Sequence, residues 1–202
     1  MKIVNASYVV ESWPMNPLAF IERVGRTCYK SEERMSADSA APFCEMVLKR
    51  GHESVIEHAS MSVRFIIDRG VSHELVRHRL AAFSQESTRY CNYGKTGEVT
   101  FIQPCFWKEG DAGFHHWRHA MRCAETAYLD LLASGAKPEE ARSVLPNSLK
   151  TEIVMTANLR EWRHVFRLRT SSKAHPQMRE VMCPLLAEVR AVIPVLFDGI
   201  GA

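Results

Sequence analysis

Several features that mark well-known protein classes are missing from the sequence. Its six cysteines include no CxxC pair, which argues against a zinc ribbon and against a thioredoxin-like redox motif. We therefore expect most of the cysteines to be small buried hydrophobes. No apolar run is long enough for a signal peptide or a membrane span, so we expect a cytoplasmic protein, or one of the host cytoplasm if it is viral.

The sequence also lacks a long basic tail, an internal repeat and a linker. Lys and Arg number 26 against 23 Asp and Glu, so neither nucleic acid nor a membrane is an expected partner, and any anion must be bound by a local arginine cluster. Apolar residues make up 46% and charged residues 24%, which is typical of a soluble globular protein. We predict one domain over residues 1–202.

Hydrophobic periodicity predicts an α+β fold. We expect a mostly antiparallel sheet flanked by helices. Strands are predicted at residues 3–10, 60–67, 99–102 and 149–156. Helices are predicted at residues 17–29, 39–50, 71–79, 113–134, 139–144, 160–169 and 176–197. The segment 94–113 has no assigned role and is interpreted either as a lid or as a hairpin.

The segment richest in chemistry is 77–90, which holds three arginines, a histidine, an amide, an acid and three aliphatic hydroxyls. Guanidinium groups suit phosphate and uracil-like carbonyls, and Ser87 and Thr88 add hydroxyls or backbone N–H groups. A nucleotide phosphate would fit such a segment. A solvated basic helix end that runs into a loop would have the same composition, so composition alone does not decide between the two.

The order of these residues is more specific than their composition. An Arg-His-Arg triplet at 77–79, followed after seven residues by Ser87, resembles the signature of the flavin-dependent thymidylate synthases. Further matching blocks at compatible spacing lie at 52–58, 138–146, 158–164 and 168–169. The resemblance begins at the Arg26-Thr27-Cys28-Tyr29 stretch and continues to Arg179, and chance agreement at all five blocks is implausible.

The resemblance implies a reaction and a cofactor. Deoxyuridylate (dUMP) would be methylated to thymidylate (dTMP) with methylenetetrahydrofolate as the one-carbon donor. FAD reduced by NADPH would carry the hydride, because no amino-acid side chain supplies one. The family's flavin-binding positions correspond to Ser54, Glu57, Arg77, His78, Arg79, Gln85, Asn158, Arg160 and His164. Lys173 replaces a histidine of many members and Cys28 a serine of some, which leaves both roles open.

The resemblance also implies which residues bind dUMP. The corresponding positions are Glu74, Arg77, Gln85, Glu86, Ser87, Thr88, Arg89, Arg142 and Arg169. Arg169 is the expected catalytic residue, since a guanidinium against uracil stabilises the negative charge that develops when the pyrimidine is activated at carbon 5. No cysteine nucleophile is required. The family resemblance implies a homotetramer with sites shared between subunits, in which Arg142 would serve a neighbouring subunit's site.

From the sequence alone, some of the same residues could also have a purely structural role. His58 could be a hydrogen-bonded core histidine, and Arg142 a cation at the C-terminus of a helix. The helix that begins near Arg160 could exist for packing alone, because Trp162 and Phe166 lie one turn apart and Leu159 completes an apolar stripe.

Two other classes of function are weaker. A zinc hydrolase would need His115, His116 and His119 with His52 or His58, but no HExxH arrangement is present, so no metal is predicted. A nucleic-acid-binding module would use the arginines of the cluster and 160–169, with Trp162 and Tyr90 as stacking surfaces. The small net charge argues against it.

Overall fold

Two sheets built from six strands organise residues 1–201, the part of the chain that the computed structural model describes. β1 (Lys2–Val4) pairs in parallel with β5 (Thr100–Ile102). The larger sheet has the order β2 (Ser7–Ser12), β3 (Ser60–Asp68), β6 (Lys150–Asn158), β4 (Ala81–Gln85). The predicted α+β class, with an antiparallel sheet flanked by helices, is confirmed, apart from the parallel β1–β5 pair.

The helices lie where the helical periodicity predicts them, with shifted ends. In chain order they are α1 (Pro17–Arg26), α2 (Ala40–Lys49), α3 (Arg69–Leu75), α4 (Ala112–Ala133), α5 (Pro138–Ala141), α6 (Leu159–Arg169), α7 (Pro176–Val192) and α8 (Pro194–Phe197). Short 3₁₀ turns occupy Thr27–Tyr29, Glu32–Arg34, Glu53–His58, Tyr93–Lys95 and Arg142–Val144. Within residues 1–201, no helix is both long and apolar enough to span a membrane.

The first predicted strand, 3–10, is two strands instead of one. β1 ends at Val4 and β2 begins at Ser7, and the two belong to different sheets. Ile3 is in register with Phe101 of β5. Alternation along one strand cannot show a change of partner, because it reports only which face of the strand is buried.

Strand β4 was not predicted from the sequence. Its five residues, Ala81–Gln85, contain no β-branched side chain, and alanine, serine and glutamine favour strands only weakly. The segment nevertheless lies beside β6 in the sheet, and Glu86 at its end donates its backbone N–H to the Glu152 carbonyl at 2.9 Å. Pairing with a neighbouring strand has outweighed local propensity here.

The predicted helices 71–79 and 176–197 are not continuous over their predicted ranges. α3 stops at Leu75, so the Arg-His-Arg triplet lies in irregular turns rather than on the helix. The predicted helix 176–197 is interrupted at Ile193, whose φ of −135° and ψ of 63° are not helical. Pro194 explains the interruption, because a proline disfavours the α-helical conformation of the residue before it.

The chain divides into two compact units, each made of three segments. The first unit contains Met1–Tyr8, Arg64–Arg77 and Phe83–Val154. Its core packs the apolar face of α4 against β5 and neighbouring segments, through Val99, Phe101, Phe114, Trp117, Met121, Tyr128, Ala141 and Leu149. The indole N–H of Trp117 donates to the Ser148 hydroxyl at 3.0 Å, which satisfies its one polar group. Whether residues 1–202 form a single domain, as the sequence predicts, stays untested by this division into units.

The second unit contains Val9–Val63, His78–Ala82 and the described chain from Met155 onward. Helix α6 supplies its core: Leu159, Trp162 and Phe166 are fully buried. The rings of Trp162 and Phe166 lie 5.5 Å apart, and the Trp162 N–H donates to the Met61 carbonyl at 3.0 Å. The predicted packing stripe of this helix is confirmed, and its opposite face remains available for polar side chains.

The prediction that most cysteines are buried is wrong. Only Cys44 is buried, Cys91 is partly exposed, and Cys28, Cys105, Cys123 and Cys183 are exposed. Burial and the nearby Glu22 carboxylate raise the pKa of the Cys44 thiol to about 12. The general tendency of cysteine to be buried is an average over proteins and says little about a single position.

Candidate active site

A pocket of the first unit carries Arg142, one of the predicted dUMP-binding residues. We call it the Arg142 pocket: it has a volume of about 430 Å³ and is lined by Arg69, Thr88, Glu139, Arg142, Ser143, Leu145 and Leu149. Arg142 follows α5 directly, and its Nη1 donates to the buried hydroxyl of Thr88 at 3.2 Å. Two predicted substrate-binding residues therefore meet here, and the helix-end interpretation of Arg142 describes its position but not its contact.

Sequence reasoning missed Arg69 in this pocket. Its backbone N–H donates to the carbonyls of Asn147 and Leu149 at 2.9 and 3.1 Å, which holds the start of α3 in place. Its Nη1 is buried without a hydrogen-bond partner. A buried guanidinium nitrogen without a partner is costly, which makes Arg69 Nη1 a candidate donor to a ligand. No local sequence pattern marks Arg69 as functional.

Residues 85–87 are anchored within the first unit by hydrogen bonds. The Gln85 amide nitrogen donates to the hydroxyls of Ser72 and Thr151 at 2.9 and 3.2 Å. Ser87 accepts a hydrogen bond from the backbone N–H of Arg89 at 3.3 Å. These contacts fix the backbone course of the predicted substrate segment.

Glu86, the one acid of that segment, is held by three hydrogen bonds. It accepts from the Tyr93 hydroxyl at 2.8 Å, from Lys150 Nζ at 3.1 Å and from the backbone N–H of Glu152 at 3.2 Å. Burial disfavours the Lys150 charge, but the hydrogen bonds to Glu152 and Glu86 outweigh it and raise the pKa of Lys150. Glu86 therefore has a structural task, whatever it does toward a substrate.

A pocket of the second unit brings together four predicted flavin-binding residues. We call it the Asn158 pocket: it has a volume of about 570 Å³ and is lined by Glu53, Glu57, Leu80, Asn158, Arg160, Glu161, His164 and Arg167. Asn158 caps α6, because its side-chain oxygen accepts from the Glu161 backbone N–H at 2.9 Å. The cap fixes the first turn of the helix, from which Arg160 and His164 project on one face.

Carboxylates hold the cations of the Asn158 pocket. Arg160 Nη1 donates to Glu57 at 2.5 Å, a short hydrogen bond, and Arg160 Nε lies 3.6 Å from Glu53. Arg163 and Arg167 also approach Glu53, at 3.5 and 3.8 Å. Arg163 is buried, but Arg160 and Arg167 are about half exposed, so their pairs orient the side chains more than they stabilise the fold.

A chain of hydrogen bonds links α6 to the Arg-His-Arg triplet inside the second unit. His78 is buried, with Nδ1 3.3 Å from Glu161 Oε1, and its Nε2 accepts from Arg169 Nε at 3.0 Å. Burial, with the nearby Arg169 and His164 charges, lowers the pKa of His78 to about 4. The imidazole is neutral at pH 7, so its contact with Glu161 is a hydrogen bond and not an ion pair.

His78, Glu161 and His164 are also the one trio of the described residues whose ligand atoms lie close enough, within 4.8 Å, to hold a metal ion. However, His78 Nε2 already accepts from a guanidinium, and Arg169 would repel a divalent cation beside it. The geometry favours a hydrogen-bonded relay over a metal site. Among the described residues, no trio of possible metal ligands includes His119, which was considered for a zinc site.

The other predicted site residues lie apart from these pockets. Arg77 and Arg79 are exposed on either side of His78 in the chain, and Glu74 is partly buried on α3. Ser54 lines a separate cavity of the second unit, of about 820 Å³, together with Cys28 and His52. All the assigned ligand contacts of these residues stay predictions.

The sequence matches a known protein family over most of its length. A family model described as "Thymidylate synthase complementing protein" matches residues 9–195. The chain belongs to this family. The resemblance predicted from the sequence motifs, and with it the prediction of an enzyme of this family, is confirmed.

Curated members of the thymidylate synthase complementing protein family are similar over most of their length. The flavin-dependent thymidylate synthase of Geobacter sulfurreducens is 34% identical over 193 residues, which cover 92% of this chain and 83% of the relative. The flavin-dependent thymidylate synthase of Pyrococcus furiosus is 35% identical over 175 residues, which cover 85% of this chain and 71% of that relative.

A solved structure shares the fold. The UMP/dUMP methylase PolB from Streptomyces cacaoi, crystallised with 5-Br dUMP, superposes with a TM-score of 0.83 at 24% identity and covers 98% of this chain and 96% of its own.

Two alternative interpretations fail against the structure. Trp162, which a nucleic-acid-binding module would need as a stacking surface, is 0% exposed. Trp162 is buried because it lies on the core face of α6, where its N–H already has a backbone partner. The interpretation of His58 as a core histidine also fails, because His58 is exposed.

Proposed function

We propose that the chain methylates dUMP to dTMP, with methylenetetrahydrofolate as the one-carbon donor and FAD reduced by NADPH as the source of the hydride. The observation that carries this proposal is the Asn158 pocket, which gathers Glu57, Asn158, Arg160 and His164 from separate parts of the sequence. The relatives' name, flavin-dependent thymidylate synthase, supports a flavin.

The donor set of the Asn158 pocket fits a dinucleotide flavin. A volume of about 570 Å³ lies within the range of small-molecule sites. Arg160 and Arg167 offer guanidinium donors suited to phosphates, while Leu80, 76% exposed, offers an apolar surface that an aromatic ring would cover. When bound, FAD would supply the reducing equivalent that no side chain can provide. Asn158, Arg160 and His164 would hold and orient it.

The Arg142 pocket is the proposed site of the nucleotide phosphate. Arg142 and the unpartnered Nη1 of Arg69 would donate to phosphate oxygens, and Thr88 keeps Arg142 in place. Two guanidinium groups match the two negative charges of a phosphate monoester, which neither surface lysines nor a single arginine would do as selectively.

Arg169 is the proposed catalytic residue. Its guanidinium donates from Nε to His78, and in this proposal its N–H donors also face a uracil carbonyl. Negative charge that develops on the ring during activation at carbon 5 would be stabilised by these donors, and more strongly in the transition state than in the ground state. The proposal needs no cysteine nucleophile.

A homotetramer with sites shared between subunits completes the proposal. Leu80 and Tyr90 lie within or beside the signature segment and are each 76% exposed. Large apolar side chains in such a segment are typical of surfaces that a ligand or a second subunit covers.

Two measurements on the purified protein test the proposed function. Its absorption spectrum should show the visible bands of an oxidised flavin. NADPH oxidation with methylenetetrahydrofolate should then yield dTMP only when dUMP is added. A colourless protein that binds no added FAD, or one that forms no dTMP, would refute the proposal.

A further inference from the structure

The hydrogen bonds around His78 define its tautomer. Arg169 Nε carries a hydrogen and can only donate, so the His78 Nε2 that lies 3.0 Å away must be unprotonated. The proton of the neutral ring is then on Nδ1, from which it donates to Glu161 Oε1 at 3.3 Å. In this series of hydrogen bonds, Glu161 therefore accepts, His78 donates from Nδ1 and accepts at Nε2, and Arg169 donates from Nε.

We propose that Glu161 and His78 are positioning residues that hold the Arg169 guanidinium in the orientation needed for catalysis. The inference deepens the proposed function and rests on it. Glu161 would fix the ring tautomer, and the ring would offer Arg169 an acceptor. Neither residue would touch the reacting atoms.

Burial makes this arrangement specific. His78 and Glu161 are about 95% buried, with exposed fractions of 5% and 6%. Their donors and acceptors are therefore not satisfied by bulk water, and the alternative tautomer would set an N–H of His78 against the N–H of Arg169. Arginine has four side-chain torsions, and a fixed acceptor at Nε removes much of that freedom.

The alternatives in the same place are weaker. A direct proton transfer by His78 to a ligand is disfavoured, because both ring nitrogens already have partners in the protein. His164 approaches the His78 ring edge-on, with centroids 5.8 Å apart, and does not replace either partner. The geometry assigns His78 to holding Arg169.

A pair of substitutions separates the two hydrogen bonds. In His78→Gln, the amide oxygen can take the place of Nε2 and accept from Arg169. In His78→Asn, the shorter amide can donate from the place of Nδ1 to Glu161 but cannot reach Arg169. Glu161→Ala removes the tautomer-fixing acceptor, and His116→Asn, at an exposed position of α4, serves as the matched control.

We expect kcat for dTMP formation to fall at least about tenfold in His78→Asn and about threefold or less in His78→Gln, consistent with the loss of one oriented donor. Glu161→Ala should also lower kcat by about threefold or more, with His116→Asn unchanged. KM for NADPH should stay constant in all four. Equal kcat in the Asn and Gln variants, or wild-type kcat in Glu161→Ala, would overturn the inference.

Crystal structures of the His78 variants provide a readout that does not depend on activity. Arg169 should keep its orientation in His78→Gln and lose it in His78→Asn. An unmoved Arg169 in both variants would also overturn the inference. Failure of the proposed function is distinguishable, because wild-type protein would then form no dTMP while Arg169 still moved in His78→Asn. If His78→Asn does not fold, Glu161→Ala tests the inference in its place: its crystal structure should show a displaced Arg169, and its kcat should be lowered.

Discussion

At the scale of single residues, the arginines of this chain differ in what holds them. Arg142 is fixed by a buried hydroxyl, and Arg169 by a neutral imidazole. Arg160 is paired with carboxylates. Arg89 lies over the Tyr90 ring at 5.2 Å. A guanidinium held by neutral partners keeps its full charge for a ligand, whereas a carboxylate already neutralises much of the charge of its partner. Arg142 is therefore a stronger candidate for anion binding than Arg160.

Arg142→Ala should weaken dUMP binding. Loss of a charge-assisted hydrogen bond to phosphate costs about 1.5–3 kcal/mol, which is about a 10- to 100-fold increase in KM. Arg69→Ala should have an effect of the same direction, because its Nη1 has no partner inside the protein. Steady-state kinetics would measure both. Arg122→Ala, exposed on α4, is the control, and an unchanged KM in both pocket variants would remove the phosphate assignment.

Arg169→Ala should keep the flavin spectrum and lose methylation. The reason is that the flavin-binding side chains proposed on α6 are held by their own partners, whereas the charge developing on uracil would lose its nearest donor. We expect kcat to fall by about 100-fold or more, as for one preorganised electrostatic donor. Arg167→Ala, on the same helix, should affect FAD affinity instead. Full activity in Arg169→Ala would refute the catalytic assignment.

His78 should make the folded state sensitive to acid. Its pKa is lowered to about 4, by burial first and then by Arg169 and His164, with the Glu161 carboxylate also facing the ring. The unfolded chain takes up this proton near pH 6.5 and the folded chain only near pH 4. Stability is therefore complete above pH 6.5 and falls as the pH drops toward 4, by up to about 3 kcal/mol.

Urea denaturation at several pH values measures this effect. The free energy of unfolding of His78→Gln should vary less between pH 6.5 and 4 than that of the wild type. His116→Gln, which removes an exposed histidine, should keep the wild-type slope. If the wild type and His78→Gln had identical pH slopes, His78 would not be a buried neutral histidine.

At the scale of elements, helix starts place the functional side chains. Asp68 and Asn158 end strands β3 and β6 and cap the helices that follow directly, α3 and α6. Each side chain accepts from a backbone N–H three residues on, at 2.7 and 2.9 Å. The same strand-to-helix device therefore orients Arg69 in the first unit and Arg160 in the second.

Asp68→Ala should destabilise α3. The side chain is 95% buried and satisfies the Val71 N–H, so its removal should cost about 1–2 kcal/mol of unfolding free energy. Asp68→Asn keeps an acceptor oxygen and is the control. Chemical denaturation would distinguish them, and equal losses in the two variants would mean that the negative charge, rather than the cap, is what stabilises the helix.

At the scale of the whole molecule, each unit carries a pocket that gathers predicted ligand-binding residues. The Arg142 pocket offers guanidinium groups and hydroxyls, and the Asn158 pocket offers arginines, a histidine and an amide. The proposed reaction needs both sets. Sharing of sites between subunits would supply them without requiring one chain to enclose every ligand.

A subunit-mixing experiment tests the shared sites. Light scattering should give four times the mass of one chain. If Arg142 serves a neighbour's site, unfolding and refolding Arg142→Ala and Arg169→Ala together should restore up to about a quarter of wild-type activity, because some sites then receive both arginines. Each variant refolded alone is the control. A single-chain mass, or no recovery on mixing, would contradict the tetramer with shared sites.

Much of the site could be predicted from the sequence because family motifs preserve order and spacing. From these motifs, Arg142, Asn158, Arg160 and Arg169 were predicted to be functional residues. The structure then added what they touch, which for Arg142 is Thr88, 54 residues away in the chain. Arg69 escaped prediction because an unpartnered nitrogen is a property of three-dimensional burial, not of neighbours in sequence.

The sequence by itself determined the α+β class, most helices and the family, since these depend on periodicity, helix-starting residues and ordered motifs. Only the tertiary structure decided that residues 81–85 form a strand, that residues 3–10 divide between two sheets, and that His78 joins Glu161 to Arg169. The physical reason is common to all three: strand pairing and buried hydrogen bonds depend on partners distant in the chain, and local side-chain patterns carry no information about them.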